Sequence, residues 1–125
     1  MNLSDFAGKL RITEKEKDTF FLKTVNHLSG RVLRGVRKKT PVDTGTLRAR
    51  WSVQPVIKIG KRYRAVVLNN VKYAPYIEYG HRTVGENPSW VKGFHMLQLT
   101  HNQVNRQAGA IIRRRFHAFL EGHLQ

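Results

Sequence analysis

The sequence predicts an α+β fold in which two long helices cover a small antiparallel sheet. Near each end of the 125 residues, apolar side chains recur every three or four positions; between those stretches they recur every second position. Gly80, Gly85, Asn87-Pro88 and Gly93 follow the alternating part and mark an irregular loop. The organisation expected is one domain over 1–125. It has a lead-in at 1–12, a helix at 13–40, a β-hairpin at 47–70, a loop at 80–93 and a helix at 96–121.

The lead-in carries Phe6 and Leu10 at helical spacing. Thr13 and Glu16 then form a Thr-x-x-Glu capping box, each side chain positioned to satisfy the other's backbone amide. Phe21, Val25, Leu28, Val32 and Val36 give the helix one apolar stripe, and Arg31, Arg34, Lys38 and Lys39 fall largely off it. Cations near the C-terminal end suit the macrodipole. Gly30 and Gly35 weaken the helix locally and permit close approach of a neighbouring backbone. Pro41 holds Thr40 extended and ends the helix.

In the hairpin, Leu47, Ala49, Trp51, Val53, Pro55, Ile57 and Ile59 occupy one face, with Arg48, Arg50, Ser52, Gln54 and Lys58 on the other. Pro55 donates no ladder hydrogen bond, so this is an edge strand or holds a bulge. Gly60-Lys61-Arg62 is the turn and Tyr63 to Asn69 returns; a loop of two residues and one of three remain open. Leu97, Val104, Ala108, Ile111, Ile112, Phe116, Phe119 and Leu120 define the second helix, with Gly109 inside it.

Twelve aromatic residues and a 40% hydrophobic fraction argue for a folded chain, not a disordered one. No apolar run approaches the ~20 residues of a membrane span, and the N-terminus lacks a signal-peptide pattern. Without cysteine there is no disulfide framework or thiolate metal site, and a reducing cytoplasm is the expected place of synthesis. With 23 Lys and Arg against 8 Asp and Glu, the net charge of +15 favours a polyanionic partner, either nucleic acid or an acidic protein surface.

Two blocks about thirty residues apart stand out, Thr40-Pro41-Val42-Asp43-Thr44-Gly45-Thr46-Leu47-Arg48-Ala49-Arg50-Trp51 and Asn69 through Thr83. Asp43-Thr44-Gly45 is the triplet of aspartic proteases, whose paired carboxylates share a proton. Here Pro41 precedes it and Arg48 and Arg50 follow, cations that hold a carboxylate ionised. The expected role of Asp43 is to cap the turn by accepting backbone amides, with Gly45 relaxing the geometry.

Tyr73-Ala74-Pro75-Tyr76-Ile77-Glu78-Tyr79-Gly80 reads as a helical turn with Pro near its start and Gly at its end. Its tyrosines fit either a stacking platform for bases or, the favoured expectation, packing of the hairpin against the helices. Glu78 is expected to pair with Arg48 or Arg50. The histidines match no metal template: His95 and His101 are six apart, as are His117 and His123. No nucleophile–base set, P-loop or dinucleotide fingerprint is present, so neither an enzyme nor a cofactor is expected. Arg113, Arg114 and Arg115, with Arg31, Arg34, Lys38, Lys39, Arg48 and Arg50, are candidate polyanion contacts.

Taken together, Thr40 to Arg48 after a basic helix, and Asn70, Tyr73, Ala74, Glu78, Gly80, His81 and Arg82 after a hairpin, carry a specific resemblance. Trp90-Val91-x-Gly93-Phe94-x-Met96-Leu97 extends it over roughly residues 18–121. The chain resembles the tail-completion or head–tail joining proteins in the neck of long-tailed bacteriophages and prophages. The motif residues Pro41, Asp43, Thr44, Gly45, Leu47, Trp51, Tyr73, Ala74, Glu78, Gly80 and His81 then have structural roles. The resemblance implies a non-catalytic virion subunit, made in the bacterial cytoplasm. It implies partners in copies of itself (a ring, of six by analogy) and in neighbouring neck and tail proteins, with DNA passing through the channel. It implies no small-molecule substrate and no membrane. The alternative is a small, sequence-independent nucleic-acid-binding protein; a dimeric aspartic protease is a distant third.

Overall fold

The computed structural model describes residues 12–42 and 45–123. The expectations for Phe6, Leu10, Asp43 and Thr44 lie outside the described residues. Helix α1 spans Glu14–Lys39 and begins in the expected capping box: Thr13 Oγ1 accepts from Glu16 N at 3.1 Å, and Thr13 N donates to the Glu16 carboxylate. It ends at Thr40, whose extended backbone leads into Pro41. A short helix α2 follows at Thr46–Ala49, preceded by Gly45 at φ 70°.

Leu47 and Ala49 therefore lie on a helical turn and not on the hairpin strand. The left-handed Gly45 and the α2 turn that follows point Leu47 into the core. The hairpin proper comprises β1 (Trp51–Val53), β2 (Ile57–Ile59), β3 (Arg62–Arg64) and β4 (Val67–Asn69). β1 pairs antiparallel with β4, and β2 with β3. Between the two pairs, Gln54 to Val56 lie opposite only Ala65 and Val66, which is a bulge of one extra residue around Pro55.

That extra residue reverses which face is inward. Trp51 is buried, yet Ile57 and Ile59 are 46% and 50% exposed, and Lys58 turns towards α1 instead. The single apolar face expected from Leu47 to Ile59 thus breaks at Pro55. Ile59 pairs with Arg62, so the loop is the two residues Gly60-Lys61, with Gly60 at φ 61°. Positive φ at the first loop position alone is the type II′ pattern.

Helix α3 (Ala74–Tyr79) runs into β5 (Gly80–Arg82), which pairs antiparallel with β6 (Trp90–Lys92). The ends of the expected irregular loop are therefore a β-ribbon, with the Gly/Asn/Pro segment confined to its tip. Gly80 makes this possible. A Cβ there would lie 2.4 Å from the Val91 carbonyl oxygen, and one on Gly93 would lie 2.3 Å from that of Glu78.

Helix α4 (Met96–Glu121) packs antiparallel along α1. The core sits at one end of this pair, where Val36, Leu47, Trp51, Ala74 and Met96 are buried together. At the far end Phe20 meets Phe119 and Phe116, with ring centroids 4.7 and 5.7 Å apart. In between, Arg115 donates to Thr24 and Arg31 to Gln107, beside the buried Ile111. Gly35 admits the Thr100 side chain there: a Cβ on Gly35 would stand 2.4 Å from Thr100 Cγ2.

The α1 stripe falls as expected at Val36, which is buried with Val32 packed against the core, but shifts by one residue near its N-terminal end. Phe20 is buried and Phe21 is 40% exposed, stacked on Tyr63 of the hairpin at 5.2 Å. Two elements compete for α1, so its covered surface is wider than one heptad-like line.

Candidate functional site

The two sequence blocks meet in space. Trp51 Nε1 donates to Thr40 Oγ1 at 2.8 Å, and the same hydroxyl donates to the Val36 carbonyl at 2.5 Å, closing the last turn of α1 over the indole. Arg48 Nε donates to the Arg37 carbonyl at 2.8 Å, and Arg37 donates to the Trp51 carbonyl at 3.1 Å. Asn69 Nδ2 donates to the Leu47 carbonyl at 2.7 Å while its Oδ1 accepts from Val71 N. The Val36 and Arg37 carbonyls engaged here lie in the last turn of α1, where intrahelical partners run out.

The second block contributes Ala74 to the core and Glu78 to the start of α4. Glu78 is buried, and its two carboxylate oxygens accept from Leu97 N at 2.8 Å and Gln98 N at 3.1 Å. The expected ion pair with Arg48 or Arg50 is not formed: Arg48 bonds a carbonyl, and Arg50 is exposed. A carboxylate suits this position because it faces the positive end of a 26-residue helix. The residue that would ordinarily cap α4, His95, offers no side-chain bond. It is held at φ 48° by bonds from Phe94 N to Ile77 O and from His95 N to Glu78 O.

The tyrosines depart from the favoured expectation. Spaced by three on α3, Tyr76 and Tyr79 are 59% and 63% exposed and do not pack the hairpin against the helices. Trp90, also 63% exposed, lies with its ring edge over Gly80, and Phe94 is exposed just beyond. In the ribbon, Arg82 and Lys92 flank Trp90 on the same face by the pairing register. Sequence reading missed this surface because an aromatic residue on a short amphipathic turn is ordinarily core.

A second unfilled feature is an open, mostly apolar groove of about 690 Å³. Val25, Leu28 and Val32 of α1 form one wall, with Val67, Tyr79 and Leu97 opposite. Three residues of the predicted apolar stripe thus line a groove that the described residues do not fill.

The candidate polyanion contacts fall into separate groups. Arg31, Arg34, Lys38 and Lys39 line one groove between α1 and α4. Arg113 and Arg114 are exposed on α4, Arg115 is turned onto Thr24, and Arg48 is held by the α1 end. Among the described residues, the carboxylates with side-chain partners lie elsewhere. Glu14 bonds Lys17, Asp18 bonds Lys58 and Tyr63, Glu121 bonds His117 and Glu16 bonds His123. The carboxyl of Asp18 is held below its ordinary range first by Lys58 and then by Tyr63.

Leu47, Trp51, Ala74, Glu78 and Gly80 thus position the described elements, and the surface left over includes exposed aromatic, apolar and basic side chains. Over residues 5–80 the chain matches the HK97-gp10-like family model, described as "Bacteriophage HK97-gp10, putative tail-component". The chain belongs to this bacteriophage tail-component family, the kind of family its motif blocks resemble. No significant match to a curated protein or to a solved structure was found. No helix among the described residues is long and apolar enough to cross a membrane.

Proposed function

We propose that this tail component is the tail-completion or head–tail joining subunit of its phage, a single-domain, non-catalytic protein that forms a ring at the head-proximal end of the tail. The observation that carries the reading is the exposed apolar and aromatic surface formed by Tyr76, Tyr79, Trp90 and Phe94, together with the unfilled groove of α1. Each of these four side chains is more than half exposed, and large exposed apolar groups gathered on one part of a chain mark contact sites. A head-to-tail ring needs two different faces on every subunit, and the ribbon and the groove are two such faces. The bulged hairpin adds unpaired strand edges that a neighbour can augment.

Net charge sets the conditions of assembly. At +15, identical subunits repel one another in dilute solution, and neighbours or DNA must neutralise them for a ring to close. The purified protein is therefore expected as a monomer or small oligomer by light scattering, and as a symmetric ring, of six subunits by family analogy, only on the particle. Cryo-electron microscopy of intact particles tests this. Absence of the protein from the neck and head-proximal tail refutes it. The other expectation, a free sequence-independent nucleic-acid-binding protein, predicts the protein scattered on cellular DNA and missing from the particle.

A further inference from the structure

The groove between the C-terminal half of α1 and the first half of α4 is unlike the others on the molecule. It measures about 630 Å³ and is lined by Arg31, Arg34, Lys38, Lys39, Gln103 and Gln107, over a floor of Gly35 and Thr100. Among the described residues no carboxylate lines it. Four cations on slightly more than two turns of one helix repel one another, and nothing described in the groove offsets that repulsion. The α1 C-terminus beneath Lys38 and Lys39 offsets only part of it.

The glutamines give the groove its direction. Lys39 Nζ donates to Gln103 Oε1 at 3.0 Å, and Arg31 donates to Gln107 Oε1 at 3.5 Å. With both amide oxygens turned to cations, both amide NH2 groups are left as donors. Arg34 and Lys38 are exposed and donate to no described partner. The Thr100 hydroxyl, buried against Gly35 without a hydrogen-bond partner, adds a further polar group to the floor. A groove lined almost wholly by donors fits a ligand made only of acceptors.

We infer that this groove is a binding site for phosphate groups of a nucleic-acid backbone, held by Arg31, Arg34, Lys38 and Lys39 with the Gln103 and Gln107 amides. Length supports a repeating anion over a single ion. From Arg31 to Lys38 the helix rises roughly 10 Å, whereas one strand of a duplex presents a charge about every 3.4 Å of axis. That leaves room for two or three consecutive phosphates. An acidic protein segment fits less well, since among the described residues Val104 is the only large apolar side chain in the groove to anchor one. Bidentate reading of a base edge by glutamine needs its amide oxygen, and both oxygens are already turned to Lys39 and Arg31, so binding is to the backbone and independent of sequence. The site stands on the groove itself and does not depend on where the protein sits in the particle.

The test is fluorescence anisotropy of the full-length protein with a short labelled duplex of arbitrary sequence, between about 50 and 200 mM salt. The variants are R34Q/K38Q and, as a control of equal charge, R113Q/R114Q; all four positions are exposed, and melting curves check that both variants fold. Each neutralised phosphate contributes about 0.9 to the slope of log affinity against log salt. R34Q/K38Q is expected to make that slope shallower by about 1.8, while R113Q/R114Q leaves it nearly unchanged. Equal effects from the two variants would mean a diffuse field and overturn the site. Competition by inorganic phosphate or polyglutamate at matched ionic strength separates the sources. If either ion or peptide protects the groove and the duplex does not bind, the backbone assignment is wrong.

Discussion

Glu78 offers the sharpest test of how the motif blocks work. Its carboxylate is buried and accepts two amides from the first turn of α4. Glu78→Ala removes both acceptors and strands two N–H groups close to Met96 in the core. A hydrogen bond to a charged group is worth about 1.5–3 kcal/mol, and losing a helix cap typically costs about 0.5–2 kcal/mol. Relief of the buried carboxylate's desolvation offsets part of this, so a net loss of about 2–4 kcal/mol is expected. Glu78→Gln keeps one acceptor but turns an NH2 towards a second donor, and should lose about 1–2 kcal/mol. Against a usual total of about 5–15 kcal/mol, the alanine variant is severely weakened. Urea unfolding followed by far-UV circular dichroism measures both. Arg50→Gln serves as the control, because an exposed charge without a partner should change stability by less than about 0.5 kcal/mol. An alanine loss under about 1 kcal/mol, or an Arg50 effect matching that of Glu78, would refute the capping role and restore the ion pair.

Gly35→Ala should destabilise by about 1–3 kcal/mol through overpacking against Thr100, despite a helix-propensity gain of about 1 kcal/mol. Gly30→Ala, which meets only the tip of Arg34, should be neutral or stabilising; thermal melts of both, and rescue of the first by Thr100→Ala, check the seam. Tyr63→Phe keeps the stack on Phe21 but loses the bond to Asp18, for a cost of about 0.5–1.5 kcal/mol in urea unfolding. The His123 ring bonds the Phe119 carbonyl through Nδ1 and the Glu16 carboxylate through Nε2, an arrangement that needs both ring protons. The Phe119 carbonyl first, and Glu16 second, raise the His123 pKa from 6.5; His123 first, then Thr13, lower that of Glu16 from 4.5. The histidine's contribution is complete below 6.5 and lost as pH rises through its raised value, and the glutamate's is lost as pH falls through its lowered one. Urea midpoints should therefore show the clasp fully present between about 4.5 and 6.5; His123→Ala should abolish the loss on the alkaline side and reduce the one on the acid side, where Thr13 still holds Glu16.

The helices were legible because their signals are local. The Thr13–Glu16 box and Pro41 bound α1 at both ends, and the period of Leu97 to Leu120 bounds α4. The hairpin was only half legible: alternation predicts two strands and Pro55 marks an edge strand or a bulge, but alternation carried straight through Pro55 puts Ile57 and Ile59 on the wrong face. The partners of Glu78 were hidden for another reason. They are backbone amides nineteen and twenty residues away, and a backbone donor leaves no trace in side-chain composition. The basic groove was visible as Arg31, Arg34, Lys38 and Lys39, whereas Gln103 and Gln107 gain meaning only when α4 lies alongside.

The α1–α4 seam is fastened at one end by Val36 and Met96 and at the other by Phe20, Phe116 and Phe119, with polar bonds and the buried Ile111 between. The first end is packed into the core with Trp51 and Ala74, whereas the second meets only the outer part of the hairpin, through Phe21 on Tyr63 and Asp18 with Lys58. Amide protons in the last turns of α4 therefore exchange through a local opening of the aromatic end, at a lower free energy than global unfolding. Those near Met96 exchange only when the whole core opens. One end of the helical pair is thus able to unzip separately while the core at the other end stays closed.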